Sequence, residues 1–320
     1  MNIVEANASI INEAMLGTKQ MIKSYYQEFP GLHPNNVRIG LFPPVQRYPA
    51  VSVSPRSSTF ISYLTGNKYY CSRDFEIAFW VDQLTKHPEK VLYEYSHKFV
   101  DIIRNREEFT IEDDQKRKQA FNFELGTVAV TEEDLATNPE RTKPGFKITI
   151  PVSFTSKNKI KYPNVEALKS MRSDWKSEEE VSMYLYRKML DYKKSNLSEI
   201  RHFDKGQRAI PGGTGHSLLS RMDNSILEHY QLGVDIANLA LRFEVLTKID
   251  FREETLLKNL QLSEEVVQLL MIDAYVGGFA IDSFWQQVIH SIEEFDGRYF
   301  FNSSVVFLIR INDIIERKGV

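Results

Sequence analysis

The chain has 320 residues, enough for one large domain or two ordinary ones, because a single core usually stops growing near ~250–300 residues. With 42% hydrophobic and 26% charged residues, 15 Gly and 12 Pro, it has the composition of a chain that buries a core, and 40 Lys plus Arg against 43 Asp plus Glu leave no basic excess for neutralising phosphates. The one cysteine, Cys71, excludes an internal disulfide framework and a thiolate zinc cluster, and it suits a reducing compartment.

Between Met1 and Phe29 the charged residues Glu5, Glu13, Lys19, Lys23 and Glu28 interrupt any continuous apolar core, so no export signal is expected. No run of about 18 apolar residues occurs, so neither a membrane span nor a membrane partner is expected. The sequons at Asn7, Asn196 and Asn302 carry no meaning without secretion.

The first predicted element is a helix on which Ile10, Ile11, Ala14, Met15, Met21, Ile22, Tyr25, Tyr26 and Phe29 form one face, ended by Pro30 and Gly31. The period then falls to two, predicting extended pieces at Val37 to Phe42, Tyr48 to Val53 and Ser57 to Leu64, with a turn at Thr65, Gly66 and Asn67. The clearest strand comes next: Tyr69, Cys71, Phe75, Ile77, Phe79 and Val81 alternate with Ser72, Asp74, Glu76 and Asp82. Pro88 fits the first turn of a helix whose stripe is Val91, Leu92, Tyr95, Phe99, Ile102 and Ile103. Phe121, Phe123 and Leu125 alternate up to Gly126, after which Val128 and Val130 continue out of phase, which predicts a bulge at the glycine. An acidic loop from Thr131 to Gly145 leads into a strand marked by Phe146, Ile148, Ile150, Val152 and Phe154.

Ser177 and Glu180 form a capping box ahead of a helix carrying Val181, Tyr184, Leu185, Met189 and Tyr192. After the Gly-rich stretch Gly212 to Gly215, the spacing of Leu219, Met222, Ile226 and Tyr230 predicts another amphipathic helix, and Leu239 to Ile249 alternate as a strand. Two short helices are then expected, one with Val267, Leu270, Met271 and Ala274, the other with Phe284, Val288, Ile292 and Phe295, before a last strand from Tyr299 to Ile311. The whole reads as an α/β or α+β protein, an antiparallel or mixed sheet packed by helices. Its expected parts are 1–160, a helical and Gly-rich connection over 161–216, and a second α/β unit over 217–320 whose element order echoes the first as a degenerate duplicate would.

Residues able to carry chemistry mostly have a plainer reading. The Gly212-Gly213-Thr214-Gly215-His216-Ser217 stretch invites comparison with phosphate-cradling loops, but Ile210 stands where the first glycine belongs and His216 where the lysine does, so a connector is the better reading. Seven histidines show no metal-ligand spacing, and Cys71 falls on the apolar face of its strand. The acidic runs Glu112-Asp113-Asp114, Glu132-Glu133-Asp134 and Glu178-Glu179-Glu180 sit in predicted loops or helix starts, where solvation or the helix dipole favours them. No catalytic, cofactor-binding or metal-binding residue is assigned, and no cofactor is expected. The 15 Tyr, 20 Phe and 3 Trp are the remaining anomaly, with Tyr70 and Trp80 in the wet phase of the long strand, where they serve either a protein interface or a second layer of the same chain.

A predicted N-terminal helix, the Pro-flanked strand Tyr48-Pro49-Ala50-Val51-Ser52-Val53, the long strand Asp74-Phe75-Glu76-Ile77-Ala78-Phe79-Trp80-Val81, a helix from Val91 to Ile103 and closing antiparallel strands form a recognisable layout. Over Tyr48 to Ser156 it resembles the tail terminator and neck proteins of contractile-tailed or long-tailed bacteriophages. The resemblance implies a structural virion protein and no enzyme, assembled in the host cytoplasm. It would form a closed ring of its own copies, usually sixfold, that caps the tail tube and joins it to the head connector, touching tube, sheath and neck proteins. Thr65, Gly66, Asn67, Tyr70, Trp80, Glu132, Glu133 and Asp134 are the expected interface residues. A baseplate or sheath-contacting part fits the same layout, and a nucleotide-binding enzyme using Gly212 to Gly215 is the rival of another class.

Overall fold

Alternation with period two dominates the chain, and strands are accordingly its main element. In chain order they and the helices are β1 (Val4–Ala6), α1 (Ile10–Ser24), β2 (Val37–Ile39), β3 (Ala50–Leu64), β4 (Lys68–Asp82), α2 (Pro88–Arg104), β5 (Phe109–Glu112), β6 (Lys118–Phe121), β7 (Glu124–Leu125), β8 (Ala129–Glu133), β9 (Gly145–Lys159), α3 (Glu178–Lys193), β10 (Ile200–Lys205), β11 (His216–His229), β12 (Asp235–Lys248), α4 (Glu253–Leu270), β13 (Asp282–Phe295) and β14 (Arg298–Asp313). The fold is α+β, with mixed sheet pairing. A computed structural model describes residues 4–6, 10–40, 48–64, 68–82, 84–104, 109–112, 118–121, 123–133, 145–159, 178–193, 196–205, 215–229, 235–249, 252–273, 276–278, 280, 282–295 and 297–313. The chain divides into two units, one of Met1–Ser62, Tyr70–Asn158 and Phe251–Leu257, the other of Tyr63–Tyr69, Lys159–Asp250 and Lys258–Val320.

In the first unit the sheet order is β1-β9-β4-β3, with β2 on β3 and with β7 and β8 on β9. β1 runs parallel to β9 and β2 parallel to β3, while β7 and β8 run antiparallel to β9. Phe75, Ile77 and Phe79 of β4 are fully buried, as alternation requires of its inner face. Phe79 meets Phe29 at 5.2 Å between ring centroids and Phe99 of α2 at 5.9 Å, and Phe75 meets Phe154 of β9 at 6.3 Å. Ile10, Ile11, Ala14, Met15 and Ile22 give α1 its buried face. Lys19 of α1 forms an ion pair with Glu253, whose other oxygen accepts the Ile39 amide at 3.0 Å.

β3 is one continuous strand across the two extended pieces expected at Tyr48 to Val53 and Ser57 to Leu64. Ser52 accepts from Trp80, Ser54 donates to Glu76 and Ser57 donates to Asp74, so β3 and β4 run in opposite directions, and the phase of β3 shifts around Pro55. Leu125 pairs with Val152 and Ala129 with Thr149, so four steps on the β7–β8 side oppose three on β9. The extra residue is the bulge expected at Gly126, whose amide donates to the Pro151 carbonyl at 2.8 Å. The β5–β6 hairpin pairs Phe109 with Phe121, and its first strand is not among the elements expected from sequence.

In the second unit the order is β13-β14-β12-β11-β10, antiparallel except for the β10–β11 pair. Leu239, Leu241, Phe243 and Val245 of β12 and Val305 and Ile309 of β14 are fully buried, as are Val266 of α4 and Val181 of α3. α4 is longer than the helix expected around Val267 and Leu270.

Two expected helices are strands. Residues 216–229 form β11, and a register shift between Met222 and Asn224 explains the misleading pattern. Leu219 and Ile226 are seven apart, two helical turns, yet one bulged residue makes that an even number of ladder steps. Likewise Asp282–Phe295 form β13, with a shift between Trp285 and Gln287. Trp285 and Val288, three apart in sequence, are both buried because the extra residue lies between them.

Candidate interface surfaces

The outer face of β4 is a polar ladder with a closed apolar patch at one end. Ser57 donates to Asp74 at 2.7 Å, and Glu76 accepts from Ser54 at 3.3 Å and pairs with Arg56 at 3.0 Å. Further along, Trp80 is only 1% exposed, clustered with Ala50, Ala78 and Tyr48. Its indole N–H donates to Ser52 Oγ at 2.9 Å, and the Lys147 ammonium lies 5.1 Å above the ring. Trp80 therefore belongs to a layer made by its own chain, which corrects its placement on a wet face.

Of the other residues expected at an interface, Tyr70 is half-buried on β4, and Glu132 and Glu133 lie in β8 with their backbones paired to Phe146 and Gly145. Thr65, Gly66, Asn67 and Asp134 lie outside the described residues. The large apolar side chains that do reach solvent are others. In the first unit they are Ile61 of β3 at 52%, Leu84 at 90% and Tyr93 of α2 at 48%. Leu84 is held outward by a turn in which Asp82 accepts both the Leu84 amide, on its carboxylate, and the Thr85 amide, on its carbonyl. Sequence reasoning passes over these residues, although two signals are present: Leu84 is apolar within a turn, and Tyr93 falls off the stripe of α2.

On the second unit a groove of about 350 Å³ crosses β12, β14 and β13. Its lining includes the apolar Leu308 and Phe284 and the polar Asn238, Arg242, Asp282 and Arg310. Arg310 donates to Asn238 Oδ1 at 3.4 Å.

Among the described residues no group of three or more His, Cys, Asp or Glu is placed to hold a metal ion. Cys71 is fully buried, and burial pushes its thiol up to about 11, against smaller opposing contributions from the Arg73 charge and a Thr59 backbone hydrogen bond. The Gly-rich stretch up to Thr214 lies outside the described residues, while Gly215 leads directly into a strand, where a phosphate cradle needs a helix N-terminus. No described helix is long and apolar enough to cross a membrane.

No protein-family model matches the chain, and no curated protein matches it.

Proposed function

We propose that the chain is a structural virion protein, a ring-forming tail terminator or neck component that closes the end of a phage tail tube. The observation that carries this reading is the order of elements in the first unit: helix α1, Pro-flanked β3, β4 of 15 residues, amphipathic α2, and β7 and β8 antiparallel to β9. That order matches the layout in which Tyr48 to Ser156 resembles the tail terminator and neck proteins. A ring closed by rotation needs two different surface patches on each subunit, one meeting its complement on the next. Leu84 and Tyr93 offer the apolar anchors that interfaces favour, and the polar ladder of β4 offers a second, hydrogen-bonding face.

The rival reading, a nucleotide site at Gly212 to Gly215, loses its motivating geometry because residues 216–229 form a strand. A baseplate or sheath-contacting part shares the support of the first and differs from it only in position along the tail.

Two measurements test the proposal. Light scattering of the purified protein, alone and with tail tubes, should show a closed oligomer of one size. The variants Leu84→Ser and Tyr93→Ser should keep the wild-type melting temperature, since both side chains are exposed, and should lower the fraction assembled at least tenfold. Full assembly of both variants would remove these residues from the contact.

A further inference from the structure

In the second unit a chain of side-chain hydrogen bonds crosses from β11 to β13 by way of α4. His216 Nδ1 lies 2.7 Å from Thr247 Oγ1. Asn259 Nδ2 of α4 lies 2.7 Å from the same oxygen, 2.8 Å from the Val245 carbonyl and 3.4 Å from the Phe301 carbonyl. Ser303 Oγ bonds Asn259 Oδ1, and His290 Nδ1 lies 2.8 Å from Ser303 Oγ. Asn259 and Ser303 are fully buried, and His290 is 9% exposed. The His290 ring lies parallel to that of Phe301, 6.0 Å between centroids and 6° between planes.

The donor and acceptor capacity of each group sets the direction of the protons between Asn259, Ser303 and His290. Backbone carbonyls only accept, so Val245 and Phe301 require the NH₂ end of Asn259; the reversed amide would set its oxygen against two carbonyl oxygens. Oδ1 therefore faces Ser303, and because it too only accepts, the single hydroxyl proton of Ser303 goes to it. What reaches Ser303 Oγ from His290 must then be a donor. The neutral His290 ring carries its proton on Nδ1.

We infer that this relay is a conformational latch of fixed polarity, which admits one orientation of Asn259 and one tautomer of His290 and so sets the register of α4 on the sheet. Its contacts lie on four strands, β11, β12, β14 and β13, and one side chain of α4 meets β12 and β14 directly. A slide of α4 by one turn would bring Ser263 to the place of Asn259. A hydroxyl offers one proton where the latch uses an amide with two and an acceptor besides. Packing of leucine and valine against leucine and valine discriminates poorly between adjacent turns, whereas a buried donor set against a donor is costly.

Long-range proton–nitrogen NMR of the whole protein, at a pH where the ring is neutral and with the signal assigned by its loss in His290→Gln, reads the tautomer directly. The expected spectrum shows the His290 proton on Nδ1. In Ser303→Ala, which removes the acceptor, the signal should move toward a mixture of the two tautomers. A wild-type ring protonated on Nε2 alone would overturn the inference, and that spectrum decides even if the variant does not fold. An identical tautomer ratio in Ser303→Ala would overturn it as well.

Discussion

Glu76 and Ile77 are neighbours on β4 with opposite surroundings. Ile77 is fully buried in the first unit, and Phe75 shares its face. Ile77→Asp or Phe75→Asp would bury an unpaired charge and should abolish soluble expression, a loss of at least ~4 kcal/mol. Glu76→Lys would exchange an ion pair with Arg56 and a hydrogen bond from Ser54 for a like-charge contact near solvent, at a cost of about 1 kcal/mol. Comparing soluble yield and urea midpoints of the three variants checks the assignment, and equal yields would refute it.

Two buried acids make stability depend on pH at the alkaline end. Burial pushes the Cys71 thiol from 9.0 up to about 11, and burial, with a smaller contribution from the Glu94 charge, pushes the Tyr95 hydroxyl from 10.0 up to about 12. Tyr95 also donates to the Pro30 carbonyl, which the tyrosinate could not do. Both groups are favoured neutral in the folded state, so their contribution is fully present below the unfolded pKa and is lost as pH rises toward the folded one. Stability should therefore hold up to about pH 9 and fall between 9 and 12. Denaturant midpoints across that range test this, as does alkylation of Cys71, which should occur only at the rate of unfolding.

Among the elements, legibility tracks the regularity of the ladder. β4, β9, β12 and β14 and helices α1, α2 and α3 are readable from sequence because one period holds along each. Even the bulge at Gly126 is legible, since its glycine marks the slip between Leu125 and Val128. β11 and β13 read as helices because each contains an unmarked bulge, with Asn224 or Gln287 after it and no glycine. Such a slip turns a period of two into local spacings of three and four, and pairing with a partner strand, invisible in one sequence, decides the outcome. β5, four residues long, is too short to show a period.

In the turn after α4, Gly277 has φ +70, and its amide donates to Asp273 at 2.6 Å. An added Cβ would come within 2.7 Å of the Tyr184 ring, itself hydrogen-bonded to Asp273 at 2.8 Å. Gly277→Ala should destabilise the second unit by about 2 kcal/mol, from left-handed backbone strain plus displacement of the ring. Thermal unfolding would show it, and a melting temperature equal to wild type would argue against the placement of Tyr184 over this turn.

For the whole molecule, the candidate surface is less legible than the fold. Phase alone singles out Trp80, yet Tyr48, Ala50 and Lys147, up to 67 positions away in sequence, close over it. Burial by residues distant in sequence cannot be read from alternation. Leu84 and Tyr93 are the reverse case, apolar side chains that nothing in the described chain covers enough to bury.

We propose that the chain caps a phage tail by surface complementarity rather than by chemistry. A capping ring offers the tube end a matching face on one side only, so the next tube subunit finds no site. Electron microscopy of particles assembled without the protein reads this out in tail length and head attachment. Tails of irregular, excessive length that fail to join heads are expected; tails of normal length firmly attached to heads would refute the capping role.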